Sequence, residues 1–155
     1  MISSDKIKSL RQKTGAGMMD CKKALQEVEG DLESAIDWLR KKGINTAAKK
    51  SLRDASDGLI TIHNNESNIV ILEVNSETDF VARNSDFQDF CLNLSKTILS
   101  NKIDNLESLL NINFFETEKM VSEKLTDLIS KIGENLKIKR FDVFSKSANE
   151  YLSSY

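Results

Sequence analysis

The chain has 155 residues, with 22 Lys/Arg against 24 Asp/Glu, a length that holds one ordinary domain or a small bundle joined to a larger unit. No apolar run approaches the ~20 residues of a bilayer-spanning helix, and the polar opening Met1-Ile2-Ser3-Ser4-Asp5-Lys6 has no secretory pattern. The net charge of −2 conceals an asymmetry, because residues 1–53 carry 12 Lys/Arg and 7 Asp/Glu while the remainder carries 10 and 17.

The basic front end interleaves its cations with acids and offers no aromatic stacking platform. It therefore reads as a solvated face or one that meets an acidic protein partner, not as a direct nucleic-acid site. Cys21 and Cys91 lie far apart in the chain and read as two reduced thiols, not a disulfide or a metal site. His63, the lone histidine, has no ligating neighbours and reads as a surface residue. The sequence has no nucleotide-cradling Gly-x-x-x-x-Gly-Lys-Ser/Thr loop, no nucleophile elbow and no metal-ligand spacing. The expectation is a protein without covalent chemistry, cofactor or metal.

Three helices are predicted in the first third. The first runs from about Ser4 to Lys13, buries Ile7 and Leu10, and stops at Gly15-Ala16-Gly17. The second follows Asp20 with Cys21, Ala24, Leu25 and Val28 on one side, and Gly30 is placed to be its left-handed stop. Asp31 caps the third, whose inner face is Leu32, Ala35, Ile36 and Leu39, with Trp38 beside it and Gly43 at its end. Residues 46–57 read as a connector with some helical content.

A hairpin follows, Leu59 to His63, a turn over Asn64-Asn65-Glu66-Ser67, then Asn68 to Asn75. Within it, Ile69 to Val74 is a nearly unbroken apolar run that suits a strand covered on both faces. A helix capped by Asn84 or Ser85 carries Phe87, Phe90, Cys91, Leu94 and Ile98 at i, i+3, i+4, i+7 and i+11. After a loose segment from Asn101 to Asn113, another helix spans Phe115 to Ile132 and ends at Gly133. Leu136 to Phe144 is a third strand whose apolar phase slips after Ile138, which points to a bulge. The fold class is α+β: a three-helix bundle over residues 1–45, then a small antiparallel sheet covered by helices over residues 58–155.

One residue escapes every periodicity. Phe80 lies in Glu73-Val74-Asn75-Ser76-Glu77-Thr78-Asp79-Phe80-Val81-Ala82-Arg83-Asn84, between the apolar strand and the amphipathic helix. It reads either as a core satellite tucked under its own loop or as a rigid aromatic presented to a partner. Asp79 either accepts from partner amides or caps the following turn. Arg83 pairs with a partner acid or, within the chain, with Asp79 or Asp86. The adjacent Met18 and Met19 are either loop plugs or an adaptable docking surface.

The segment around Phe80 closely resembles the Thr-Asp-Phe-Val signature of the elongation factor Ts family, guanine-nucleotide exchange factors for elongation factor Tu. Leu10-Arg11-Gln12-Lys13-Thr14-Gly15-Ala16-Gly17-Met18-Met19-Asp20-Cys21-Lys22-Lys23-Ala24-Leu25 resembles that family's N-terminal signature. Lys131-Ile132-Gly133-Glu134-Asn135-Leu136 resembles its Lys-Ile-Gly-Glu-Asn motif. The three occur in the family's order. The resemblance implies a ubiquitin-associated-like bundle followed by the first half of the family's core, with the second subdomain absent beyond Tyr151 to Tyr155. It implies that Thr78, Asp79, Phe80 and Val81 disturb the magnesium site of the GTPase, while Lys8, Arg11, Met18 and Met19 face it from the bundle. Lys131 to Leu136 reads as a helix stop and turn and is left out of that set. Residence in a bacterial cytosol or organelle matrix follows, without membrane contact, and an unpaired sheet edge invites a homodimer. Two other readings stand beside exchange activity: a ubiquitin-associated-like adaptor without it, and an incomplete factor that binds but exchanges poorly.

Overall fold

A computed structural model describes residues 2–154. Helix α1 (Ser4–Thr14), α2 (Met18–Glu27) and α3 (Leu32–Lys50) come first. Leu10, Cys21, Ala24, Leu25 and Ala35 form their buried centre, and Ile7, Val28, Leu32, Ile36, Trp38 and Leu39 pack around it. The local signals hold at α1 and at the start of α3, but α2 starts at Met18 behind Gly17, not after Asp20, and is capped at Val28, with Glu29 ahead of Gly30 already left-handed at φ +53°. Gly15 and Gly30 adopt φ of +69° and +86°, and the Asp31 carboxylate accepts the Ser34 N–H at 2.7 Å. Lys42 Nζ lies 5.6 Å from the centre of the Trp38 ring that lids the inner face.

The third helix does not stop at Gly43 but continues to Lys50. A mid-helix glycine costs only about 1 kcal/mol relative to alanine, and tertiary packing outweighs that here. A Cβ at Gly43 would sit 3.1 Å from Ser130 Oγ and 3.7 Å from Thr126 Cγ2, so its bare backbone lets α3 lie close against α7 (Val121–Ile132). The expected connector from residue 46 thus begins as helix.

The second half is built on β1 (Asp57–Asn64), β2 (Asn68–Ser76) and β3 (Leu136–Ser145), antiparallel in the order β1-β2-β3. Between β2 and β3 run α4 (Asp79–Ala82), α5 (Ser85–Asn101), α6 (Leu106–Leu110) and α7. The α5 stripe is buried with Val70, Leu72 and Val74 of β2, and Leu128 and Ile129 of α7 join the same core. The bulge lies where the phase slip placed it, since Glu73 pairs with Arg140 and Val74 with Ile138, leaving Lys139 without a partner on β2.

Four expectations change. β2 is covered on its second face only in part: Ile71 is exposed opposite the exposed Ile62, while Ile69 is buried where Phe144 and Leu152 line the same hollow. His63 is half-buried and registers with the core residue Val70, on the row that faces the helices. The segment after α5 contains α6, capped by Asn105, whose Oδ1 accepts the Ser108 N–H at 2.8 Å, with Leu109 buried. The following helix starts at Val121 and not Phe115, because Phe114 stacks on Phe90 at 5.2 Å and Asn113 bridges back to Met120. Helical geometry can begin only after Met120, the extended cap residue, whose N–H is accepted by Glu123 at 3.0 Å.

Candidate functional site

The link from sheet to α5 is short and strongly fixed. β2 ends at Ser76, whose hydroxyl donates to the Thr78 carbonyl at 2.8 Å. Thr78 is extended (φ −131°, ψ 157°) and starts the single turn α4. Asn84 closes the link by accepting the Phe87 N–H at 3.2 Å as the cap of α5. Successive side chains of a helix diverge by about 100°, so two neighbours in one turn cannot share an environment. Val81 is 5% exposed and belongs to the core, whereas Phe80 is 77% exposed. The core-satellite reading of Phe80 therefore fails in this fold.

The four residues of the signature divide by environment. Asp79 and Phe80 face solvent, Thr78 is half-buried and Val81 is buried. Among the described residues the Asp79 carboxylate caps no turn, and Arg83 pairs with neither Asp79 nor Asp86. Asp86 instead holds Lys131 at 2.8 Å, which ties the first turn of α5 to the last turn of α7.

Reading Glu134 and Asn135 as a simple turn missed what they hold. Thr78 N–H donates to Glu134 Oε2 at 3.0 Å, and Thr78 Oγ1–H donates to Glu134 Oε1 at 2.6 Å. Asn135 N–H donates to Glu77 Oε1 at 2.6 Å, and Asn135 Nδ2 donates to the Arg53 carbonyl at 2.7 Å. The bond from the Asn135 amide, with Arg53 and Lys50 nearby, draws the Glu77 carboxyl below the usual glutamate range. Gly133 ends α7 at φ +87°, and its carbonyl accepts from Lys50 Nζ at the end of α3.

The second set of candidate residues lies on the bundle. Lys8 and Arg11 are exposed one turn apart on α1. Met18 and Met19, in the first turn of α2, are 47% and 74% exposed, so neither plugs the bundle core. Thr14 Oγ1 donates to the Leu10 carbonyl at 2.7 Å, and Cys21 Sγ approaches the Ala16 carbonyl at 3.7 Å, which firms the glycine-rich turn beneath the methionines. An ion pair from Lys42 to Asp20 joins α3 to α2. The structure thus groups the two sets on separate hydrophobic clusters, and α3, packed on both α2 and α7, is the element they share.

Burial raises the Cys21 thiol and pushes Cys91 up to about 12, so both are poor nucleophiles. No group of three or more His, Cys, Asp or Glu among the described residues is arranged to hold a metal ion. No described helix is long and apolar enough to cross a membrane. The arrangement offers a fixed, solvent-facing aromatic and an exposed pair of thioethers, features suited to gripping another protein.

The family model described as Elongation factor TS matches residues 77–155, a stretch of just over half the chain. The match begins at Glu77, the residue that binds Asn135, and includes the whole of α4 and the Lys131 to Leu136 segment. A role in protein biosynthesis, as a nucleotide exchange factor, comes with that match. The chain belongs to the elongation factor Ts family.

Proposed function

We propose that this chain binds elongation factor Tu in its GDP-bound form and speeds GDP release, with Phe80 as the wedge that disturbs the partner's magnesium and phosphate site. An exchange factor must bind the nucleotide-free GTPase more tightly than the nucleotide-bound one, and linkage then weakens nucleotide binding by the same factor. Displacing side chains from the geometry that holds magnesium against the phosphates is a direct route to that difference. The observation that carries the reading is the 77% exposure of Phe80 on a turn whose neighbours are anchored. A phenyl ring has two side-chain torsions to freeze and a large apolar area to bury, which suits a wedge.

Within this reading the signature residues have different tasks. Phe80 enters the partner, and Asp79 accepts from partner backbone amides beside it. Thr78 and Val81 hold the turn from below. Lys8, Arg11, Met18 and Met19 form a second contact from the bundle, which we take as a ubiquitin-associated-like module over residues 1–45. Residues 46–57 lead from it to the first core subdomain at 58–155. The protein works where the GTPase works, in a bacterial cytosol or an organelle matrix.

The test is release of a fluorescent GDP analogue from elongation factor Tu, with the chain and with Phe80→Ala. Strong acceleration by the first and much weaker acceleration by the second supports the proposal. Equal acceleration removes Phe80 from the mechanism, and binding without acceleration favours the adaptor or the incomplete factor.

A further inference from the structure

The pairing of β2 with β3 does not end where their backbones part. Its last rungs are Asn75 with Lys137 and Ser76 with Leu136. The next two positions in the same register are Glu77 opposite Asn135 and Thr78 opposite Glu134. These are the pairs joined by side chains: the Glu77 carboxylate accepts the Asn135 N–H at 2.6 Å, and the Glu134 carboxylate accepts the Thr78 N–H at 3.0 Å. Two carboxylates thus stand in for backbone carbonyls and carry the ladder two rungs further, up to Thr78, the cap of α4. The Thr78 hydroxyl adds a second bond to Glu134 at 2.6 Å.

A one-turn helix has almost no stability of its own, and the Thr78 side chain makes no bond to the α4 amides. The orientation of Phe80 is therefore set by what grips the residues on either side. Val81 is gripped by the core and Thr78 by Glu134, whose place is fixed in turn by the left-handed Gly133 and by Asn135 bonding to the Arg53 carbonyl. We propose that Glu134 is a positioning residue for the exchange reaction, acting through Thr78 to hold Phe80 in its presented direction. This rests on the reading of Phe80 as the wedge.

The test is a double-mutant cycle with Glu134→Ala and Phe80→Ala, read by GDP release from elongation factor Tu at saturating factor. Amide hydrogen exchange of the free protein at residues 78–82 is followed beside it. Because the lost bonds go to a charged acceptor, Glu134→Ala should lower the maximal release rate about tenfold or more and speed exchange at the Thr78 amide. In the Phe80→Ala background the same change should add little. Glu134→Gln, which still accepts the Thr78 N–H and can donate to its hydroxyl, should recover most of the rate. Thr78→Val removes only the hydroxyl bond and keeps the isosteric side chain; it should give a smaller loss of the same kind, and this holds even if Glu134→Ala folds poorly. A full rate in both Thr78→Val and Glu134→Ala, or an equal loss from Glu134→Ala in both backgrounds, overturns the positioning role while leaving the wedge intact. An unchanged rate in Phe80→Ala alone sinks the wedge itself.

Discussion

Residues 80 and 81 are adjacent in one helical turn, yet their truncation should damage different properties. Val81 is 5% exposed in the main core, so Val81→Ala removes two buried methyl groups. At ~0.8 kcal/mol per buried carbon plus a cavity term, it should cost about 2 kcal/mol of folding stability. Phe80 is 77% exposed, so Phe80→Ala leaves no cavity and should change stability by no more than about 0.5 kcal/mol. Exchange should respond in the opposite sense. A fully buried phenyl ring contributes about 1.5–3 kcal/mol, and docking can add only the three quarters of it now open. That leaves about 1.2–2.3 kcal/mol, or roughly a 7- to 50-fold loss in release rate at 1.4 kcal/mol per decade. Urea unfolding followed by circular dichroism gives the first pair of numbers, and release of a fluorescent GDP analogue gives the second. Loss of stability in Phe80→Ala, with exchange intact, would refute the division of labour within α4.

Two further outcomes are expected. At Gly43 an added methyl meets the hydroxyl of the exposed Ser130 at 3.1 Å, which can rotate away, so Gly43→Ala should stabilise by about 0.5 kcal/mol through helix propensity, whereas Gly43→Leu should destabilise by about 1–3 kcal/mol by forcing α3 off α7; urea midpoints decide, and a neutral leucine would contradict the close approach. Glu77 has a folded-state pKa below its ordinary value, so its contribution is fully present above the unfolded pKa of about 4.3 and is lost as pH falls through the lower folded value; the stability gap between the wild type and Glu77→Gln should therefore close on acidification below pH about 4, and a gap independent of pH would contradict the Asn135 bond.

Much of the fold was legible because its signals are local. The α5 stripe from Phe87 to Ile98, the Asp31 cap and the left-handed stops at Gly15 and Gly133 each depend on residues within a few positions of one another. The bulge after Ile138 was legible for the same reason, as a slip in one strand's own phase. Phe80 stood out because it fitted neither neighbouring period, and its exposure follows from Val81 taking the buried side of the turn.

What stayed hidden depends on distant partners. Gly43 reads locally as a stop, and only the approach of α7 shows why it lies mid-helix. Glu134 and Asn135 have a sufficient local reading as a turn after Gly133. Their bonds to Thr78 and Glu77 span 56 and 58 residues, and nothing in the spacing of either segment announces them. The Asn105 cap with Leu106, Leu109 and Leu110 was a visible signal for α6, masked by the polar residues around it.

The most direct measurement is hydroxyl-radical footprinting of the chain, alone and saturated with nucleotide-free elongation factor Tu, with side-chain oxidation quantified at each residue. The account predicts that Phe80 oxidises readily in the free protein and is strongly protected in the complex, while the already buried Val81 changes little. Phe80 oxidising equally in both states would contradict it.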